Sequence, residues 1–302
     1  MIIPSYLKQG DTVAIIATAR KVSEEELNPA KNLFESYGLN VVLGEHIYDS
    51  NNQYAGTDKN RATDLQWSLN SHDIKAIIIA RGGYGTVKLM EHIDFTEFKK
   101  HPKWLVGFSD VTVLHSAIHN QGIATMHATM PLTFAKSTEA TKSMIDALFG
   151  KLPKIDLEEN FSNKPGFATG QLVGGNLSLL YALAGTPYDI DTTDKILFIE
   201  DLDEYLYHID RMMMQLKLSG KLKKLKGLIV GGMTDMKDNT IPFGKFPEEI
   251  ILDAVADYNY PVCFDFPAGH INRNLAICFG KEIELHVSDE KTYISYSDKS
   301  IV

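Results

Sequence analysis

Residues 76–85 have the sequence AIIIARGGYG, an apolar, mostly β-branched run that stops at a glycine-rich turn. A run of this length and composition predicts a strand buried on both faces, as in a parallel sheet. Residues 104–110, WLVGFSD, repeat the arrangement, with Ser109 shortly after the apolar run. Because the carboxyl ends of parallel strands meet at one edge of a sheet, the glycine turn and Ser109 are predicted to share that edge.

Short apolar runs alternate with helical patterns on both sides of these strands. Strands are predicted at 12–17 and 41–43, and Asn28 with Pro29 predicts the start of the helix that Gly38 ends. This alternation indicates βαβ units and a mostly parallel sheet. We therefore predict an α/β fold whose N-terminal part is an open, mostly parallel sheet flanked by helices.

The second half of the chain is richer in strands. Apolar runs at 167–173, 196–199 and 227–230 predict a smaller, strand-rich α/β C-terminal domain. Between the halves, the sequence loses its apolar periodicity and contains Pro153 and Pro165. The predicted division is an N-terminal domain over 1–150, a linker over 151–165 and a C-terminal domain over 166–302.

Composition excludes several classes of partner. The 302 residues carry 30 Lys and Arg against 39 Asp and Glu, a net charge of -9 without a basic cluster, so nucleic acid is not an expected partner. No apolar run approaches the roughly 20 residues that cross a bilayer, and residues 1–17 lack the pattern of a secretory signal. We expect a cytoplasmic protein without membrane contact, whose Cys263 and Cys278 are reduced and buried.

Ser109 is the first candidate for chemistry. Gly107 precedes it by two residues, as in the strand–turn–helix elbow that presents a nucleophile, but Val111 stands where that motif has its final glycine. A serine hydroxyl needs a base for activation, and the Asp110 amide is placed to donate to an oxyanion. The alternative is that Ser109 only caps a helix.

The turn after residue 80 offers further amide donors. Gly82 and Gly83 have no Cβ, so their backbone can approach a substrate closely. Phosphate binding is the alternative, but neither glycine-rich nucleotide motif is present. We therefore do not predict a bound nucleotide.

A base and an acid are predicted in the second half. His270 follows Gly269 in a turn, and Glu200 ends the strand at 196–199, where its carboxylate is able to orient an imidazole. The alternatives are a turn histidine bonded to backbone and a solvated strand end. His115 and His119 are four residues apart on a predicted helix, but with no third ligand nearby we favour packing and predict no metal site.

Nine motifs in this order and spacing resemble the LD-carboxypeptidases, a family of serine peptidases, over nearly the whole chain. The motifs are LKQGD (7–11), RATDL (61–65), RGGYG (81–85), GFSD (107–110), GGNL (174–177), GTPY (185–188), LFIED (197–201), IDRM (209–212) and FPAGHINRN (266–274).

The resemblance implies a Ser109, Glu200 and His270 triad, in which the C-terminal domain supplies the acid and the base. It also implies an oxyanion hole from the amides of Asp110 and of Gly82 or Gly83, a homodimer, and no metal or organic cofactor. The implied reaction removes a C-terminal D-Ala from a muropeptide tetrapeptide at an L,D bond, in cytoplasmic cell-wall recycling.

The sequence leaves the substrate preference open. Arg81 and Arg273 are candidates for binding the terminal carboxylate, and His127 is a candidate at the border of the site. His127 is followed by Ala128 where the family often has His-Gly-Pro-Met. The alternatives are a serine peptidase for aminoacyl or peptidyl adenylate conjugates, like the microcin C immunity branch, and a non-catalytic sugar- or peptide-binding protein.

Overall fold

The computed structural model describes residues 1–158 and 160–297, whose strands form two sheets. The strands are β1 Thr12–Ile16, β2 Asn40–Leu43, β3 Ile74–Ile79, β4 Trp104–Gly107, β5 Thr125–His127, β6 Ile155–Leu157, β7 Gly166–Asn176, β8 Lys195–Leu202, β9 Gly227–Thr234, β10 Val262–Cys263, β11 Ile277–Phe279, β12 Glu282–Val287 and β13 Thr292–Tyr296. The α-helices are α1 Glu24–Ser36, α2 Asp58–Asn70, α3 Thr96–Lys100, α4 Thr112–Asn120, α5 Thr138–Leu148, α6 Leu177–Leu183, α7 Leu206–Leu218 and α8 Pro247–Ala254. Three 3₁₀ helices cover Thr86–His92, Ser109–Val111 and Pro131–Lys136.

The first sheet has the order β11-β5-β4-β3-β1-β2, and its pairs from β5 through β2 are parallel. Its central strands β3 and β4 are almost entirely buried. Apart from Lys75, the side chains of these two strands are apolar, because a parallel sheet covered on both faces excludes water from both sets of side chains. The predicted open, mostly parallel sheet is confirmed.

The second sheet has the order β10-β9-β8-β7-β12-β13-β6. The four strands from β10 to β7 are parallel, and the pairs from β7 to β6 are antiparallel. Apolar side chains of β8 and β9 pack with those of α7 and α8 in a second core. The strand-rich α/β character predicted for this half is confirmed.

The chain forms two compact units. The first contains Met1–Lys151 and Asn272–Cys278, and the second contains Leu152–Ile271 and the described part of Phe279–Val302. The sequence places 272–278 in the C-terminal domain, but β11 lies beside β5 in the first sheet. The predicted linker 151–165 contains β6, which pairs with β13. Both differences arise because strand pairing joins segments far apart in sequence.

Two local predictions change in the structure. Helix α1 begins at Glu24, not at Pro29, because Ser23 and Glu26 form a reciprocal capping box: Glu26 N donates to Ser23 Oγ at 3.3 Å and Ser23 N to Glu26 Oε2 at 2.8 Å. The sequence also predicts a helix over about 86–92, and the structure has a 3₁₀ helix at Thr86–His92. Within the described part of the chain, no helix is long and apolar enough to cross a lipid bilayer.

Candidate active site

Ser109 has a backbone conformation that is unusual for its residue type. Its φ angle is 65°, in the left-handed region, and its side chain is partly exposed immediately after β4. A Cβ at Gly107 would lie 2.8 Å from Val111 Cγ2, so the tight turn requires glycine there. Strained serines between a strand and a helix are typical of nucleophile elbows.

The helix-cap alternative for Ser109 is wrong. The residue at the N-cap position of α4 is Val111, and the preceding 3₁₀ helix has Phe108 at its N-cap, without a side-chain cap bond in either case. The helix-capping role that usually explains a serine at such a junction does not apply here.

The glycine turn after β3 lies against Ser109. A Cβ built on Gly82 would be 3.2 Å from Ser109 Cβ and 3.3 Å from Ser109 Oγ, so the Gly82 backbone is in close contact with the hydroxyl-bearing side chain. Gly83 has a φ of 125°, and a Cβ there would lie 2.7 Å from Arg20 Cγ. Glycine at both positions lets the backbone approach where a side chain would block it.

Asp110 fixes the end of the glycine turn. Its carboxyl is buried, and Oδ2 accepts a 2.9 Å hydrogen bond from Thr86 N. Burial raises the pKa of the Asp110 carboxyl, whereas the hydrogen bonds from Thr86 act in the opposite direction. Thr86 Oγ1 in turn donates to Thr18 Oγ1 at 2.9 Å, and Arg61 Nη1 donates to Thr18 O at 2.6 Å. This network holds the turn in position beside Ser109.

In the second unit, the Glu200 carboxylate and the His270 imidazole form a hydrogen-bonded pair. Glu200 Oε2 lies 2.7 Å from His270 Nδ1 and also accepts from His270 N at 3.1 Å. The Glu200 side chain is 0% exposed and that of His270 is 16% exposed. The solvated-strand-end alternative for Glu200 and the backbone-bonded alternative for the His270 ring are therefore wrong. An Nδ1–H that donates to a carboxylate leaves Nε2 of the neutral ring as a proton acceptor.

Gly269 makes this pair geometrically feasible. Its φ is 106°, and a Cβ there would lie 2.7 Å from both Glu200 Cβ and Oε2. The backbone before His270 therefore passes directly over the carboxylate, and only glycine fits. Thr234 Oγ1 donates to His270 O at 3.0 Å and holds the other side of the turn.

A second buried carboxyl, that of Asp201, is not predicted by the sequence. Its oxygens accept from Asn176 Nδ2 at 2.9 Å, from Ser178 N at 2.9 Å and from Leu202 N at 2.8 Å. Burial, and then the charge of Glu200, raises the pKa of Asp201 to about 7. The register of β8 against β9 shifts between Ile199 and Asp201. Asn176 in the GGN sequence at 174–176 predicts a helix cap, but nothing in the sequence indicates its bond to Asp201.

The remaining candidates lie in the first unit. Arg81 Nη1 donates to Lys21 O at 3.2 Å. Arg273 contacts Glu139 through Nε, at 3.0 and 3.1 Å, and through Nη2, at 3.0 Å. His127 is fully buried, with its ring 5.7 Å from that of Phe108, and its role at the border of the site stays a prediction.

Both His115 ring nitrogens are engaged by protein atoms. Nδ1 lies 2.8 Å from Thr125 Oγ1, and Nε2 lies 2.9 Å from Gly107 O. Burial lowers the pKa of His115 to about 4, which keeps the ring neutral at neutral pH. The packing role that we favoured for this histidine agrees with these contacts.

Comparison with known proteins gives one consistent family. Residues 13–128 match the model of the LD-carboxypeptidase N-terminal domain, and residues 169–285 match that of the C-terminal domain. A probable murein peptide carboxypeptidase from Bacillus subtilis is 36% identical over 302 residues, which covers 96% of this chain and 93% of the relative.

Solved structures agree with this family. The muramoyltetrapeptide carboxypeptidase from Oxalobacter formigenes superimposes with a TM-score of 0.87 at 27% identity, covering 95% of this chain and 99% of the other. A microcin C7 self immunity protein in complex with aspartyl sulfamoyl adenosine gives a TM-score of 0.86, covering 99% of both chains, but at 19% identity it shows only the shared fold.

Proposed function

Because the chain belongs to the LD-carboxypeptidase family, we propose that it is a serine carboxypeptidase that removes a C-terminal D-Ala from muropeptide tetrapeptides at an L,D bond. The observation that carries the proposal is the 2.7 Å contact between His270 Nδ1 and the buried Glu200 carboxylate. A buried carboxylate on Nδ1 fixes the tautomer of the imidazole and stabilises the imidazolium that forms during proton transfer.

The proposed mechanism assigns one role to each group. Ser109 Oγ attacks the carbonyl carbon of the scissile bond while His270 Nε2 accepts the hydroxyl proton. The amides of Asp110 and of Gly82 or Gly83 donate to the oxyanion of the tetrahedral intermediate. The imidazolium then protonates the departing amine, which leaves an acyl-enzyme. Water, deprotonated by the same imidazole, attacks the acyl carbon, and the imidazolium returns the proton to Ser109 Oγ as the shortened peptide leaves.

We assign the terminal carboxylate of the substrate to Arg81. A carboxypeptidase needs a cation or amide donors for this group, and a guanidinium suits it well. Arg273 already contacts the Glu139 carboxylate through two of its nitrogens, so a substrate would have to displace that carboxylate. Arg81 makes its one described contact, with Lys21 O, through a single nitrogen.

The test is mass spectrometry of a purified muropeptide tetrapeptide after incubation with the protein. Loss of one D-Ala is expected, and Ser109→Ala should slow it by roughly 10⁴- to 10⁶-fold while the circular dichroism spectrum stays unchanged. Full activity of the folded Ser109→Ala variant would exclude Ser109 as the nucleophile.

Activation of Ser109 by His270 has a separate test. A serine-directed fluorophosphonate should label Ser109 in the unaltered protein and not in His270→Ala, because labelling requires an activated hydroxyl. His92→Ala, which changes an exposed histidine, is the matched control and should label normally. Absence of labelling in the unaltered, folded protein would favour the non-catalytic sugar- or peptide-binding alternative.

The peptidase for adenylate conjugates is the second candidate, since a microcin immunity protein shares the fold. Incubation with an aminoacyl adenylate analogue, in parallel with the tetrapeptide, separates the two. Preferential cleavage of the analogue would replace muropeptide as the substrate class.

We place this reaction in the cytoplasm and in a homodimer, as the family resemblance implies. Cys263 and Cys278 are both buried. Cell fractionation tests the location, and light scattering coupled to size-exclusion chromatography tests the dimer. A monomeric mass at all concentrations would exclude the dimer.

A further inference from the structure

Three metal-ligating side chains meet on the surface of the first unit. His72 follows α2, Glu97 lies in α3 and His101 directly follows α3. His72 Nε2 is 4.0 Å from Glu97 Oε2, the two imidazole centroids are 3.8 Å apart, and one ligand atom from each residue lies within 4.8 Å of the others. We infer that these residues form a binding site for a divalent first-row transition metal, with Zn²⁺ as the best-fitting ion.

The ligand chemistry selects this class of metal. Imidazole nitrogens with one carboxylate oxygen are a common zinc ligand set, whereas Mg²⁺ and Ca²⁺ prefer oxygen alone. Tetrahedral Zn²⁺ with ligands at roughly 2.1 Å puts the ligand atoms about 3.4 Å from one another. The 4.0 Å distance between His72 Nε2 and Glu97 Oε2 is longer than this by less than about 1 Å. Because both histidines are exposed, rotation of the side chains can close the gap.

Buried Lys103 fixes the spacing between the segments that carry the histidines. Its ammonium donates to Ser68 O at 3.1 Å, to Leu69 O at 3.0 Å and to Ser71 O. Ser71 directly precedes His72, and Lys103 is two residues after His101. The last carbonyls of α2 are therefore tied to the chain that carries His101.

A second pair of contacts joins α2 to the residues just before α3. Gln66 Nε2 donates to Asp94 O at 2.8 Å, and Asp94 N donates to Gln66 Oε1 at 2.7 Å. At the C-terminal end of α3, His101 N donates to Glu97 O at 3.1 Å, so the side chains of Glu97 and His101 lie on the same face. With both segments held, the three ligands are largely preorganised before an ion binds.

The charges around the cluster set its strength. Lys100 Nζ lies 2.6 Å from Glu97 Oε1 and forms an ion pair with this carboxylate. The same ammonium repels a bound cation. Oε2 is the oxygen on the side of His72. Removal of the Lys100 charge should therefore strengthen metal binding.

The site is separated from the proposed nucleophile by the length of a strand. His72 precedes β3 and His101 precedes β4, whereas Gly82 and Ser109 follow the carboxyl ends of these strands. The two histidines also line a cavity of about 400 Å³ near the amino ends of these strands. A bound ion would therefore have access to water or to a small exchangeable ligand. Carboxypeptidase activity should therefore not depend on this metal.

Isothermal titration of untagged, chelator-treated protein with Zn²⁺ tests the site. One ion per chain is expected for the unaltered protein, and His72→Asn or His101→Asn should weaken binding roughly tenfold or more. His92→Asn is the matched control and should bind like the unaltered protein. Lys100→Met should tighten binding roughly three- to tenfold at low salt, which a folding defect cannot produce.

Two results would overturn the proposal. The first is Zn²⁺ uptake by the His72→Asn/His101→Asn double variant equal to that of the unaltered protein. The second is no uptake by the unaltered protein at concentrations up to millimolar. Equal affinity of Lys100→Met and the unaltered protein would overturn the inclusion of Glu97.

Discussion

Two backbone positions depend on unusual conformations of single residues. Ser109 takes a φ of 65° and Gly269 a φ of 106°. Ser109 carries the proposed nucleophile and has a strained backbone conformation. At Gly269 the backbone passes so close to Glu200 that no side chain fits there. The strained backbone at Ser109 costs stability and presents a partly exposed side chain, whereas Gly269 allows the close approach of His270 to Glu200.

Gly269→Ala should therefore damage the acid–base pair more than the fold. Its new Cβ must push Glu200 or the His270 backbone away, so we expect a loss of kcat of at least tenfold and a destabilisation of about 1–3 kcal/mol. Gly185→Ala is the control, because Gly185 has a φ of 78° and no atom within 4 Å of the added Cβ. Urea unfolding and kcat are the measurements. A similar kcat for the two variants would refute the clash.

Asp201 gives the second residue-scale prediction, in the pH dependence of stability. Its pKa is raised from 3.8 to about 7, by burial and then by Glu200. The folded state therefore binds more protons than the unfolded chain between these values, and this group lowers the free energy of unfolding as pH rises from about 4 to 7. Asp201→Asn removes this contribution.

Urea unfolding at several pH values checks the sign. Relative to the unaltered protein, Asp201→Asn should lose less stability as pH rises across this window, whatever its absolute stability. The exposed Asp289→Asn is the control and should keep the slope of the unaltered protein. Identical slopes for Asp201→Asn and the unaltered protein would show that Asp201 titrates normally.

At the scale of elements, Asn176 connects the end of β7 to α6 and to β8. Its Oδ1 accepts from Leu179 N at 3.3 Å and from Ser178 Oγ at 2.6 Å, while Nδ2 donates to Asp201. One amide thus caps a helix and satisfies a buried carboxyl. The cap was predictable from the sequence, but the bond to Asp201 was not, because it joins residues 25 apart in the chain.

Substitutions at Asn176 should separate these two roles. Asn176→Ala loses both and should destabilise the protein by about 2–3 kcal/mol. Asn176→Ser keeps a hydroxyl oxygen for the cap and loses only the bond to Asp201, so we expect a cost of about 1–2 kcal/mol. Urea denaturation followed by tryptophan fluorescence and circular dichroism measures both. Equal destabilisation would mean that the cap contributes nothing.

Elements that depend on neighbouring residues could be predicted from the sequence, whereas elements that depend on long-range pairing could not. The start of α2 after Thr57 is signalled by a capping residue beside the helix, and the structure has it. For α1 two local signals compete, and the Ser23 capping box prevails over Pro29, which lies inside the helix. Strand β11 is three residues long, too short for periodicity, and only pairing with β5 defines it.

Across the whole molecule, the chain returns to complete the first unit after it has built most of the second. This returning segment is Asn272–Cys278. In it, Arg273 pairs with Glu139, Ala276 N donates to Ser143 Oγ at 3.0 Å, and Ile277 is fully buried. The segment therefore supplies side-chain contacts, core volume and an edge strand. A domain boundary drawn from the sequence alone cannot reveal this arrangement, because it depends on contacts between residues more than 130 positions apart in the chain.

The returning segment should be necessary for a stable first unit. A fragment of residues 1–151 lacks β11 and exposes the edge of β5, so it should aggregate with rising concentration in light scattering. A second fragment, in which a flexible Gly/Ser linker of about 15 residues joins residues 272–279 to residue 151, should scatter less and melt several degrees higher. The same linker with a scrambled 272–279 sequence controls for added length. If the native and scrambled segments give the same melting temperature, β11 does not stabilise the first sheet, and the unit is complete within residues 1–151.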